Sequence, residues 1–143
     1  MQQGHSNLEP LYAKSYQCAF CGLSFKTKKV RSRFIKPKGA DSDFGPVFPP
    51  GEGNNPLLYF INVCPQCGLA FTEDFAKVYS QTARQKIQQE ITDKMDKGMD
   101  YCGERDFTKA VKAYKLAIYS AQITAEKHIA FANVCLRLAW LYR

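Results

Sequence analysis

The chain has no proline beyond Pro65, and seven of its nine glycines lie before residue 72. No apolar run approaches the ~20 residues that cross a bilayer. Residues 1–12 lack the charged and apolar regions of a signal peptide. These absences predict a protein that stays in the cytoplasm and does not span a membrane. Histidine is scarce, with only His5 and His128, and a surface or packing role is expected for His128. No phosphate-binding glycine loop, nucleophile elbow or metalloprotease helix is present. A non-catalytic protein is the expectation.

What is present begins with six cysteines, four of them in two C-x-x-C pairs. Without a secretory signal, such pairs point to metal or redox chemistry rather than disulfides. Cys102 and Cys135 stand alone and are expected to pack in the core, as free cysteines commonly do. The net charge is +7, from 20 basic and 13 acidic side chains. Four thiolates around one divalent ion would bring that to +5. A polyanionic partner is permitted but not required.

The cysteine pairs head a short internal repeat. Cys18-Ala-Phe-Cys21-Gly22-Leu23-Ser-Phe25 matches Cys64-Pro-Gln-Cys67-Gly68-Leu69-Ala-Phe71 as C-x-x-C-G-L-x-F. The spacer of 42 residues has three parts. Residues 26–38 carry seven Lys or Arg and no acid. Residues 39–56 form a Gly/Pro-rich loop with Asp41, Asp43 and Glu52. Residues 57–63 read as a strand into the second pair. Lys29 to Ile35 also reads as a strand, with Val30, Ser32 and Phe34 opposite Arg31 and Arg33.

From Thr72, a plausible cap of a short helix, the pattern becomes helical. Ala83, Ile87, Ile91 and Met95 recur every four residues. A break follows around Gly98 to Gly103. Asp106 can cap a helix with Phe107, Ala110, Val111, Tyr114, Ala117, Ile118 and Ala121 on its apolar side. The last helix carries Phe131, Val134, Cys135, Leu138, Leu141 and Tyr142, and reaches Arg143 without a stop signal. A longer protein is therefore expected, with self-association through that helix unless the helix from Ser80 to Met95 covers it. The fold class is α+β: a zinc-ribbon-like β unit over residues 1–71, then a helical unit over residues 72–143.

Zinc favours four thiolates in a tetrahedron, and each C-x-x-C turn offers two. A glycine after the second cysteine lets the backbone fold under the metal, where amides reach the sulfurs. Cys18, Cys21, Cys64 and Cys67 are thus expected to hold one zinc ion, with iron an alternative for the same sulfurs. A dithiol redox pair would open a helix in a βαβ setting, which neither pair does. Four cysteines leave no open position for catalysis. Asp41 and Asp43 could bind a cation or act as an acid/base pair, but turn chemistry is the commoner use of Asp-Ser-Asp.

The basic run has three readings. Lys28, Lys29, Arg31 and Arg33 could track phosphates, with Phe34 or Tyr59 as a stacking face. They could offset the anionic metal centre, or they could guard a strand edge.

These motifs together resemble an uncharacterised bacterial family, domain of unknown function twenty-two twenty-five. The shared features include the two C-x-x-C-G turns, Lys28-Lys29-Val30-Arg31-Ser32, Asp41-Ser42-Asp43-Phe44, Asn55-Pro56 and Tyr59. They extend to Ala113-Tyr114-Lys115-Leu116-Ala117 and Leu136-Arg137-Leu138-Ala139-Trp140-Leu141-Tyr142-Arg143. The resemblance implies a zinc-ribbon-like start followed by tetratricopeptide-like helices, continuing past the Trp-Leu-Tyr-Arg segment, and no named activity. The functional expectation is a zinc-binding adaptor for another protein. A nucleic-acid-binding zinc ribbon and a zinc- or redox-responsive regulator are the alternatives.

Overall fold

A computed structural model describes residues 9–32, 39–40, 46–47 and 55–142. The fold is α+β: among the described residues there are three small antiparallel pairs of strands, then three helices. β1 (Leu11–Gln17) and β2 (Ser24–Val30) form the longest hairpin, with Leu11 opposite Val30 and Gln17 opposite Ser24. β3 (Gly39–Ala40) pairs with β4 (Pro46–Val47), and β5 (Asn62–Val63) with β6 (Ala70–Phe71). The helices are α1 (Gln81–Ile87), α2 (Phe107–Ile123) and α3 (His128–Tyr142). Among the described residues, no helix is long and apolar enough to cross a membrane.

Three local expectations are corrected. The basic strand starts five residues earlier than Lys29 and ends at Val30. It must pair with the strand entering the first cysteine turn, and that partner begins just after Pro10, which has no N–H to extend the ladder. Arg31 closes the pairing by donating its amide to Pro10 O at 2.7 Å. Residues 57–63 are mostly not a strand: Pro56–Tyr59 is a 3-10 turn, and only Asn62 and Val63 pair. Asn55 accepts from the Leu57 amide at 2.9 Å and Pro56 pre-sets φ, so this is a capped turn. Thr72 opens no helix. Its hydroxyl accepts from Asp74 N at 3.2 Å and its carbonyl from Phe75 N at 3.2 Å, which makes a turn. The first helix waits for Ser80, whose Oγ accepts from Ala83 N.

After Ile87 the helix widens into a π turn over Gln88–Thr92, with Asp93 N donating to Gln88 O at 2.9 Å. The four-residue spacing has its reason here. In an α-helix each step of four overshoots one turn by about 40°, and the wider i→i+5 turn takes up the drift. Ala83, Ile87 and Ile91 stay on one buried line.

Two apolar clusters form the core. One joins Leu57, Ile61, Val63, Ala70 and Phe75 to α2 and α3. The other joins three of the paired cysteines, Phe25 and Leu69 to Ile87 and Ile91. Both draw on chain from either side of residue 72. Asp106 caps α2 at Lys109 N, 2.8 Å, as the sequence indicates. The face of α3 that is buried carries Ala130, Val134 and Leu141, with Phe131 and Leu138 partly covered. It packs on α2 and the 3-10 turn rather than on α1. Cys135 lies one position round from Val134 and is exposed, so its expected core role does not hold.

Candidate metal centre

Both halves of the repeat fold alike. Each is a hairpin closed by a cysteine turn, β1–Cys18–Leu23–β2 and β5–Cys64–Leu69–β6. In each, the first cysteine donates its amide to the leucine carbonyl, Cys18 to Leu23 and Cys64 to Leu69, both at 2.9 Å. In each, the glycine donates back to the first cysteine's carbonyl, again at 2.9 Å. The glycines stand at φ +81° and +82°, where a side chain would be strained. The equivalent phenylalanines, Phe25 and Phe71, meet edge to face at 6.2 Å.

This arrangement brings the four sulfurs together. The Sγ atoms of Cys18, Cys21, Cys64 and Cys67 all lie within 4.8 Å of one another. Cys18 approaches Cys67, and Cys21 approaches Cys64, each at 3.5 Å. Those distances are far beyond a disulfide's ~2.05 Å. They fit sulfurs around a common ion, because tetrahedral bonds of ~2.3 Å put neighbouring thiolates about 3.8 Å apart. The donor set therefore suits a soft or borderline metal, and all four residues would hold it. Bound there, such an ion would tie the two hairpins together.

The thiols are electrostatically uneven. Cys18 is pulled down to about 3 by the Cys64 and Cys67 thiols bonding to its sulfur, aided by the Cys21 and Phe20 amides. Cys67 is pushed up, because its proton is the one shared with Cys18. Four close sulfurs cannot all ionise without a compensating cation.

The helical segment straps both turns from above. Arg84 of α1 donates to Phe20 O at 3.0 Å and stacks over the Phe20 ring at 4.9 Å. Thr92 of the π turn donates to Cys67 O at 2.9 Å. Ile91 and Met95 pack where Gly68 has no side chain, 3.6 and 3.1 Å from its would-be Cβ. Sequence reasoning missed Arg84 and Thr92. The period of four was the signal, since it marks a helix whose face is held in line by a wider turn.

The described residues of the basic run sit in different surroundings. Lys26 is exposed, and Lys28 donates its amide to Cys102 O at 2.9 Å. Lys29 turns inward: its ammonium donates to Tyr59 O at 2.5 Å, and burial lowers it to about 7, helped by the Arg105 charge. Arg31 reaches back to Glu9 O at 2.9 Å and lies 5.3 Å from the Tyr12 ring. Arg33, Phe34, Asp41, Asp43, Glu52 and His5 lie outside the described residues. His128 is exposed at the start of α3, and Cys102 is half-buried with Sγ 3.7 Å from Val63 O.

The sequence model of one family, described as "Uncharacterized protein conserved in bacteria (DUF2225)", matches residues 11–143. The chain belongs to this family. No curated protein and no solved structure matches it. The DUF2225 match spans both cysteine turns and the three described helices, so the cysteine cluster and its helical strap lie within the matched region.

Proposed function

We propose that this DUF2225 chain is a non-catalytic, zinc-stabilised interaction module that acts as an adaptor for another protein in the cytoplasm. The observation that carries the reading is the convergence of four cysteine sulfurs within 4.8 Å, from two like hairpins. Four thiolates complete zinc's coordination and leave no position for a substrate. A reducing compartment keeps such thiols available for metal. The paired turns support the zinc-ribbon-like description. The packed helical pair α2–α3, with Ala113 and Ala117 of α2 fully buried, supports the tetratricopeptide-like one.

A protein partner is preferred over nucleic acid because Lys29 is spent on Tyr59 and Arg31 on Glu9 and Tyr12. Phosphate tracking needs such cations free on one surface. Metal analysis of the purified chain should give one zinc, and Cys64→Ser should lose the ion and unfold the hairpins. A metal-free chain with all its thiols titratable would overturn the zinc reading. Tight, steeply salt-dependent binding to heparin or DNA would overturn the preference for a protein partner.

A further inference from the structure

Beside the second cysteine turn lies a cavity of about 240 Å³. It is lined by Ile91 of the π turn, by Met95 and Met99 from the segment after it, and by Leu116, Tyr101 and Tyr119. Methionines adapt their shape to varied apolar groups. Two tyrosine faces can also stack on a cation. Cavities of this kind, apolar with a few convergent polar groups, are where ligands bind.

The charge around it is predominantly negative. Glu90, Asp96 and Asp100 line its edge against a single cation, Lys94. Residues 90–104 hold five acids and two lysines, in a chain whose net charge is +7. Cys64 and Pro65 also line it, so thiolates of the cysteine cluster would add negative potential beside it. Two of the carboxylates have work in the backbone: Asp96 Oδ1 accepts from Gly98 N at 3.0 Å and Asp100 Oδ1 from Cys102 N at 2.9 Å. Each keeps its second oxygen for another donor.

We infer that this cavity beside the Cys64 turn is the docking site for an apolar side chain flanked by Lys or Arg, presented by a partner protein. The apolar group fills the space between Met95, Met99 and Leu116, and the flanking cation meets Asp96 and Asp100. The inference rests on the protein-partner reading and gives that partner a chemistry. A volume of 240 Å³ suits a single anchoring side chain, and interfaces concentrate their binding energy in such buried anchors.

The test uses the full, metal-loaded chain with its methionine methyls isotope-labelled, so that Met95 and Met99 report directly. Three probes of similar shape differ in charge: 2-phenylethylamine, 2-phenylethanol and 3-phenylpropionate. The amine should shift both methyl signals and bind about tenfold tighter than the carboxylate, with the alcohol between, as charge complementarity requires. The double variant Asp96→Asn, Asp100→Asn keeps the oxygens that accept from Gly98 and Cys102, and should bring the amine's affinity down to the alcohol's. A blocked lysine–phenylalanine–lysine peptide should displace the amine. No shift at either methyl, or equal affinity for all three probes, would overturn the site. An amine that binds but resists displacement by the peptide would overturn the protein source in favour of a small amphiphilic amine. Failure of all probes on a chain that holds zinc and ignores DNA would remove the cavity and leave the adaptor reading standing. DNA binding together with normal probe binding would remove the adaptor reading and the protein source of the anchor, and leave the cavity as a site for a small amphiphilic amine.

Discussion

Gly22 and Gly68 occupy the same position in the two cysteine turns and differ only in what lies above them. A Cβ on Gly22 would meet nothing within 4 Å, whereas one on Gly68 would meet the Met95 Cβ at 3.1 Å. Either alanine must adopt a left-handed backbone, which costs about 1–2 kcal/mol. Gly68→Ala must also push the strap away from the second turn. Denaturant unfolding should therefore show Gly68→Ala to be clearly the more destabilising of the two, and equal losses would mean that the strap is loosely seated. The glycines and cysteines were legible from the repeat, because a C-x-x-C-G turn is a local device. The inward turn of Lys29 was not. It depends on Tyr59, 30 residues away, offering its carbonyl. Its folded value of about 7 lies below its ordinary 10.5, so the folded state holds fewer protons between those limits. Stability from this group should rise with pH from about 7 to 10.5, by at most about 1.4 kcal/mol per pH unit. Below about 7 the cost of the buried charge is present in full. Lys29→Met should flatten that rise and be most favourable, relative to the native chain, at about pH 7 and below. A difference that stays constant with pH in unfolding titrations would show that the ammonium is well solvated.

At the scale of elements, the helices with caps were readable and the short strands were not. Asp106 and Ser80 each sit directly before a periodic segment, and a cap contributes about 1 kcal/mol by local bonding alone. Two-residue strands such as β5 and β6 carry no period to detect, and the segment before β5 is decided by Asn55-Pro56 rather than by its apolar run. The end of α2 is another local device, built with an unusual residue. Glu126 N donates to Ala121 O at 3.0 Å across Ala125, whose φ is +52°. That is the bond of a helix stop normally made at glycine. Glu126 then fixes the loop, accepting from Thr124 Oγ1 at 2.7 Å and from Ala76 N at 2.8 Å. Ala125→Gly relieves the strain at the expense of a more flexible unfolded chain, so a net gain of about 0.5–1 kcal/mol is expected. A thermal midpoint that falls would show that Ala125 makes contacts outweighing its strain.

For the molecule as a whole, the change in composition near residue 72 is real, yet the packing runs across it. Hairpin β5–β6 contributes Val63 and Ala70 to the cluster with α2 and α3. Its cysteines, through Leu69, share the other cluster with Ile87 and Ile91. Phe71 borders both. Composition could not reveal this, because proline and glycine mark where loops lie and not which surfaces they bury. The helices therefore lose part of their apolar cover if the second hairpin opens, and an ion bound by the four cysteines would hold that hairpin closed. Structural metal contributes folding energy directly, and each kcal/mol lost from a chain of this size lowers the midpoint by about 3–5 °C. Stripping the metal with a chelator should lower the thermal midpoint of the helical signal at 222 nm by more than about 10 °C, in step with exposure of Tyr59 and Phe71. Two independent units would behave otherwise: the hairpins would unfold on chelation while the helical melt stayed where it was. A shared transition would also carry loss of the metal to the cavity, since Ile91 and Met95 line it and pack against Gly68.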